Sequence, residues 1–230
     1  QAAPTEAETR YMLEVASQTA TVAGVVGWVD LSLANAPDAV ARFAAKPKSV
    51  GLRPMLQDIA QSDWILDPAC EPGIRALVDA GCVFDALGLV RHLGVLDTLA
   101  TRHADLWIVL DHGLKPDIAG QGFEAWAPGM ERLARHSNVT CKLSGLLTEA
   151  APGAGLPELS PYADHLIDDF GPDRLIFGSD WPVMTASGQT YADWLRHVDA
   201  LLGELDEDAH AAIMGGNAVR VYGLNAESAS

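Results

Sequence analysis

Basic residues are scarce in this chain. Among its 230 residues, 15 are lysine or arginine and 31 are aspartate or glutamate, which gives a formal net charge of −16. A surface field of this sign repels phosphate groups and anionic lipid surfaces. We therefore expect no nucleic-acid partner and no membrane partner, although the charge indicates nothing about the fold.

Cysteine is rarer still, and its three positions show no C-x-x-C spacing: Cys70, Cys82 and Cys141. The odd number argues against a disulfide framework, so we expect a reducing, cytoplasmic location. No apolar run approaches the roughly 20 residues that span a bilayer. The first ten residues lack the basic start and apolar core of a secretory signal.

Several catalytic motifs are also absent. The sequence contains no G-x-S-x-G elbow, no phosphate-binding P-loop, no G-x-G-x-x-G after a strand and no H-E-x-x-H. These motifs carry the nucleophile, the phosphate cradle, the dinucleotide site and the zinc ligands of large enzyme classes. Serine hydrolases, nucleotide-binding proteins and zinc proteases of those kinds are therefore disfavoured.

Six short runs rich in β-branched and aliphatic residues alternate with amphipathic patterns. Each run is almost continuously apolar, as in parallel strands that are covered on both faces. The predicted strands are residues 22–31, 50–55, 82–86, 106–112, 139–143 and 175–178. Repeated strand–helix units predict a single α/β domain over residues 1–230, built on a parallel sheet. A closed (β/α)₈ barrel has eight strands. Six are counted here, so the strand count alone does not decide whether the sheet closes into a barrel.

Local signals predict several helix ends. Thr5 and the glutamate three positions later have the spacing of a capping box. Gly81 is expected to end a helix. Ser160-Pro161 is expected to begin one, and Gly215-Gly216 to end the helix over residues 206–214.

Polar side chains follow the apolar part of four predicted strands. Asp180 comes after the last strand, His112 ends the fourth, Lys142 lies near the end of the fifth, and Arg53 near the end of the second. Taken singly, each has an ordinary structural explanation: a turn cap, a satisfied imidazole, a surface cation or an ion pair. Because the carboxyl ends of parallel strands meet at one edge of a sheet, their shared position favours a functional site.

Two further residues lie close to the same edge. His92 follows the third strand closely enough to reach a site from a loop or first helical turn, and Trp181 directly follows Asp180. An imidazole can bind a metal, polarise a carbonyl or move a proton. Trp181 has the size to form the wall of a pocket, and core packing is its structural alternative.

Six segments taken together resemble the amidohydrolase superfamily. The most specific are Cys-Lys-Leu-Ser-Gly at 141–145 and Gly-Ser-Asp-Trp-Pro at 178–182. The others are residues 24–31, 50–54, 110–112 and 217–224. The resemblance covers nearly the whole chain in order. It is closest to the branch of sugar-lactone and dicarboxylate-lactone hydrolases, which includes the fuconolactonase-like proteins.

This resemblance implies a TIM (β/α)₈ barrel of which the chain contains strands three to eight. It implies that Asp180 is the general base after the eighth strand. His112, after the sixth, is implied as a metal ligand or as the group that polarises the carbonyl. Arg53, His92 and Lys142 match positions that resemble substrate contacts, and we expect Trp181 to join them.

The family's opening strand bears a His-x-His pair that this sequence lacks, and Gln1-Ala2-Ala3 matches the tail of the family's second strand. The resemblance therefore implies either one divalent metal, zinc or manganese, on His112 and Asp180, or a reaction in which hydrogen-bond donors replace the metal.

Three hypotheses follow for the function. The first is hydrolysis of a sugar lactone or carboxylated lactone, by water that Asp180 activates. The second is a metal-dependent decarboxylase or hydratase of the same superfamily. The third is an inactive fragment that lacks its first two strands. A small-molecule lactone is the expected partner of the first hypothesis, and a homo-oligomer is an additional expectation.

Overall fold

The computed structural model describes residues 1–224 as a six-stranded parallel sheet with helical crossovers on its outer face. The strands pair in sequence order, so each new strand is added beside the previous one and the sheet curls as part of a barrel. Their bounds are β1 Val25–Gly27, β2 Ser49–Leu52, β3 Val83–Ala86, β4 Ile108–Leu110, β5 Val139–Leu143 and β6 Leu175–Phe177. All six overlap the strands predicted from the sequence. Residues 225–230, the end of the expected single domain, lie outside the described part.

Ten α-helices accompany the sheet within residues 1–224. Eight of them are α1 Glu6–Gln18, α2 Ala36–Ala44, α3 Glu71–Ala80, α4 Leu93–Arg102, α5 Phe123–Ala134, α6 Leu146–Glu149, α7 Leu156–Phe170 and α8 Tyr191–Leu201. The last two are the short helices α9 Glu207–Ala211 and α10 Asn217–Val221. None of the helices in this part of the chain is long and apolar enough to cross a membrane.

Alternation along the strands sends neighbouring side chains to opposite faces of the sheet. On β4, Ile108 and Leu110 belong to the large core between the sheet and the outer helices. Val109 points the other way and forms a smaller inner cluster with Val83, Ile176 and Val221 of α10. The inner face thus has an apolar layer in contact with α10, and the side chains nearer the strand ends lie above it.

Most helix ends follow the predicted signals. The Thr5 hydroxyl accepts the Glu8 N–H and caps α1, but the Glu8 carboxylate accepts the N–H groups of Ala2 and Ala3 instead of completing a capping box. Gly81 ends α3 in the left-handed conformation, with φ +64°. These ends are predictable because capping depends on residues adjacent in sequence.

Two predicted helix boundaries are wrong. The helix expected to begin at Ser160-Pro161 begins at Leu156, with Gly155 as its N-cap residue, so Pro161 lies inside α7. Gly215-Gly216 does not end the helical region, since a wide turn over Ala212–Gly216 continues directly into α10. In both cases contacts from the rest of the fold override the local proline or glycine signal.

Candidate active site

A cavity of about 500 Å³ opens at the carboxyl ends of the strands. Five of the six residues predicted for the site line it: Arg53, His112, Lys142, Asp180 and Trp181. Asp111 and Ser144, from the ends of β4 and β5, line it as well. Carboxyl strand ends are where parallel α/β sheets place reactive groups, so this cavity is the candidate active site.

His112 and Asp180 face each other inside the cavity. His112 Nε2 and Asp180 Oδ1 are 3.5 Å apart, and their side chains are 10% and 12% exposed. Burial lowers the pKa of His112 below its usual value, although the carboxylates of Asp111 and Asp180 oppose this shift. The imidazole is therefore neutral at neutral pH, a form in which one ring nitrogen donates a hydrogen bond and the other accepts one.

The backbone that holds these two side chains lies in the left-handed region. His112, Gly113, Leu114 and Lys115 follow one another with φ between +53° and +59°, and Asp180 has φ +52°. For residues other than glycine this conformation costs roughly 1–2 kcal/mol each. Trp126 of α5 stabilises this turn, because its indole N–H donates to the Gly113 carbonyl over 2.6 Å. Such strain clusters at functional sites, where the surrounding structure holds it in place.

A chain of alternating charges runs from the cavity into the inner face of the sheet. Arg53 Nη1 lies 2.8 Å from Asp111 Oδ2, and Lys142 Nζ lies 2.7 Å from Asp111 Oδ1 and 3.5 Å from Asp85 Oδ2. The Tyr222 hydroxyl completes the chain by donating to Asp85 Oδ1 over 2.6 Å. Arg53 also donates to the side chain and carbonyl oxygens of Gln1.

These contacts set the pKa values of the chain's members. Burial raises the pKa of Asp111, but Lys142 and Arg53 outweigh burial and hold it well below its usual range. Burial raises the pKa of Asp85 to about 6, against the opposing charge of Lys142. The pKa of Lys142 lies well above its usual value because Asp111 and Asp85 overcome the effect of burial. The cluster is therefore a network of ionised groups around Lys142, in which Asp85 is the member that protonates most readily near neutral pH.

Sequence patterns did not single out Asp85 and Tyr222. Asp85 interrupts the apolar run of β3, and a buried carboxylate of this kind needs a charged or polar partner. That requirement is a usable signal for Asp85, but it does not name Tyr222, which lies 137 positions further along the chain.

The two remaining predicted residues differ in placement. His92 is fully buried and is not part of the cavity lining; its Nδ1 accepts the Leu89 N–H over 2.9 Å and so stabilises the loop after β3. The structure therefore does not bring His92 to the site. Trp181 lies at the rim and is 67% exposed, so it is a wall of the cavity and not part of the core.

His112 and Asp180 are also the two residues that the resemblance implies as metal ligands. Catalytic zinc sites use three protein ligands and leave a fourth position open. Within residues 1–224, no three His, Cys, Asp or Glu side chains converge in a way that would hold a metal ion. The donor set of the described residues thus falls short of a metal centre.

Comparison with known proteins identifies the family to which this chain is similar. Residues 1–224 match the sequence profile of the Amidohydrolase family. An L-fucono-1,5-lactonase of Burkholderia ambifaria is 48% identical over 99% of this chain and 80% of its own length. An L-fucono-1,5-lactonase of Burkholderia multivorans is 36% identical over 94% of this chain and 77% of its own length.

A solved structure agrees with these matches. The crystal structure of an amidohydrolase from Burkholderia multivorans with bound zinc superposes with a TM-score of 0.92. It shares 35% identity over 98% of this chain and 82% of its own. Because the profile, the sequence relatives and the superposed structure each match nearly all of the described residues, the chain belongs to the amidohydrolase family.

Proposed function

We propose that this protein hydrolyses a sugar lactone, with Asp180 as the general base. The observation that carries the proposal is the pairing of Asp180 with a buried, neutral His112 across a cavity of about 500 Å³. Two relatives that match almost the whole chain are L-fucono-1,5-lactonases. The polyhydroxylated ring of a sugar lactone fits a cavity of this volume, whose walls combine charged groups with the exposed indole of Trp181.

The reaction joins one water to one lactone and yields one hydroxy acid. The Asp180 carboxylate takes a proton from water as its oxygen attacks the ring carbonyl carbon. Negative charge develops on the carbonyl oxygen, and N–H donors aimed at that oxygen stabilise it. When the tetrahedral adduct collapses, the ring C–O bond breaks and Asp180 returns the proton to the leaving alkoxide.

His112 and Arg53 are the donors available for that oxygen. His112 Nε2 faces the cavity beside Asp180. Arg53 uses three N–H groups on Asp111 and Gln1, which leaves the other two of its five for a ligand. Lys142 is 19% exposed and lines the cavity. We assign it to hydroxyl groups of the ring, together with Trp181 at the rim.

The decisive test is Asp180→Asn, assayed on a panel of aldonolactones. Because general-base catalysis contributes typically 10²–10⁴-fold, we expect turnover to fall by at least about a hundredfold while the circular dichroism spectrum and melting temperature are retained. Asp105→Asn is the matched control, since Asp105 is an exposed aspartate at the opposite end of β4. Lactone hydrolysis at the parental rate in Asp180→Asn would show that the assignment is wrong.

A chelator experiment separates this mechanism from the metal-dependent alternatives. Since the described residues supply two candidate ligands, we expect lactone turnover to change less than about twofold after treatment with a chelator. Metal analysis of the same samples records what remains bound. Turnover that vanishes with the metal and returns with added zinc or manganese would contradict the metal-independent mechanism and favour a metal-dependent hydrolase, decarboxylase or hydratase.

A further inference from the structure

Ser144 is a buried hydroxyl directly behind the imidazole of His112. Ser144 Oγ and His112 Nδ1 are 2.8 Å apart, and Ser144 is fully buried. Within residues 1–224 this is the one hydrogen bond in which the Ser144 hydroxyl takes part. Buried hydroxyl groups are usually paired, and among the described residues His112 Nδ1 is the acceptor within reach of the Ser144 O–H.

The other side of the ring leads to the same result independently. His112 Nε2 faces the carboxylate oxygen of Asp180 at 3.5 Å. A lone pair on Nε2 would face the lone pairs of that oxygen, whereas an N–H on Nε2 is attracted to it. A neutral imidazole with its hydrogen on Nε2 has an acceptor at Nδ1, which is what the Ser144 hydroxyl requires.

Two glycines make room for this pair. A Cβ atom at Gly145 would lie 2.7 Å from Cβ and Cγ of His112 and 2.8 Å from Nδ1. A Cβ atom at Gly178 would lie 2.9 Å from Cβ and 3.2 Å from Oγ of Ser144. The glycines of the two most specific sequence motifs therefore let the imidazole and the hydroxyl approach each other.

We infer that Ser144 is a positioning residue: it donates its hydroxyl hydrogen to His112 Nδ1 and so keeps the ring hydrogen on Nε2, directed at the reacting carbonyl. The inference rests on the proposed function for its catalytic consequence, but the hydrogen position itself does not. Without Ser144, the two neutral tautomers of His112 differ less in energy, and a fraction of the molecules presents a lone pair to the substrate oxygen. That fraction cannot stabilise the developing charge.

The experiment compares Ser144→Ala with Thr140→Val. Each variant removes one buried hydroxyl: Thr140 lies in β5, Ser144 directly follows the end of that strand, and Thr140 lies outside the cavity lining. ¹⁵N spectra of the imidazoles at neutral pH report which ring nitrogen carries the hydrogen. The signals of His112 are assigned by their loss in His112→Gln. Steady-state kinetics on the aldonolactone panel and thermal unfolding are measured on the same samples.

We expect wild type to show the Nε2–H form, Thr140→Val to match it, and Ser144→Ala to show a mixture of tautomers. One lost hydrogen bond shifts the tautomer ratio by up to about tenfold. We therefore expect kcat of Ser144→Ala to fall in proportion to the lost Nε2–H fraction, about twofold when the two tautomers are equally populated, with KM unchanged. The inference is overturned if wild type carries the hydrogen on Nδ1, or if Ser144→Ala keeps the wild-type spectrum and kcat. An equal loss in Thr140→Val also overturns it.

The wild-type spectrum decides the hydrogen position even if Ser144→Ala fails to fold. The two proposals also fail separately. A wild-type protein with the Nε2–H form but no lactone hydrolysis would refute the proposed function and leave the role of Ser144 in place. A wild-type protein that hydrolyses lactones but carries the hydrogen on Nδ1 would refute the role of Ser144 and leave the proposed function in place.

Discussion

At the scale of single residues, the site depends on how closely backbone and side chains approach His112. The ring lies against Gly145, whose own φ is +69°. A side chain at this position would meet two separate penalties: the left-handed backbone and the collision with the imidazole. These penalties can be separated, because Gly153 has a similar φ of +83° and a Cβ atom there would have no neighbouring atom within 4 Å.

The pair Gly145→Ala and Gly153→Ala measures the second penalty. We expect Gly153→Ala to lose roughly 1 kcal/mol of unfolding free energy, from the backbone alone, and to keep its turnover. Gly145→Ala should lose about 3 kcal/mol and most of its turnover, because the imidazole must move. Urea unfolding and kcat on an aldonolactone test this. Equal stability losses with turnover retained in both variants would contradict it.

Position along the strands explains which residues of the site are predictable from the sequence. Arg53, His112, Lys142 and Asp180 are predictable as neighbours because each follows a parallel strand, and parallel strands end at one edge. His92 lies outside the cavity lining because proximity to a strand end does not fix the direction of a side chain. The Nδ1 bond to the Leu89 N–H turns it into the loop.

At the scale of elements, the strands are predictable from their apolar composition and most helix ends from capping residues. The start of α7 is not predictable in this way. Pro161 is read locally as a helix start, yet α7 begins five residues earlier, where Gly155 N–H donates to the Glu158 carboxylate. Pro161 lacks the N–H that would bond to the carbonyl of Pro157, so the helix tolerates one missing hydrogen bond. Tertiary packing of Leu159, Ala163 and Leu166 in the core holds this turn in a helix.

Replacing Pro161 should therefore strengthen α7. We expect Pro161→Ala to raise the unfolding free energy by about 1–2 kcal/mol, since it restores a backbone donor at an exposed position. Pro157→Ala is the matched control: Pro157 is also exposed but lies in the first helical turn, where no such bond is lost, so its effect should stay within about 0.5 kcal/mol. Chemical denaturation of both variants measures the difference, and a destabilised Pro161→Ala would show that the proline is required.

At the scale of the whole molecule, one buried ionic network joins the cavity to the far end of the chain. Arg53, Asp111, Lys142 and Asp85 connect the ends of β2, β4, β5 and β3, and Tyr222 adds the residue that follows α10. Such a network cannot be predicted from periodicity, because its members are brought together only when the sheet curls. Breaking one partner of a buried pair leaves a costly unpaired charge, so the network ties the curvature of the sheet and the site geometry together.

This network predicts a specific pH dependence of stability. The pKa of Asp85 is raised to about 6 in the folded protein, whereas in an unfolded chain it is about 3.9. Between these values the folded state binds more protons than the unfolded state, so the contribution of Asp85 to stability falls as pH rises. Asp85→Asn removes that contribution, while its side-chain oxygen still accepts the Tyr222 hydroxyl hydrogen.

We therefore expect the stability of wild type minus that of Asp85→Asn to fall by about 2–3 kcal/mol between pH 4 and pH 7. Urea unfolding of both proteins across this range measures the difference directly, and the titrations of groups distant from Asp85 cancel in it. A difference that stays constant would mean that the folded pKa of Asp85 equals its unfolded value, with Lys142 compensating fully for burial. A difference that rises with pH would place the folded pKa of Asp85 below its unfolded value and contradict the prediction.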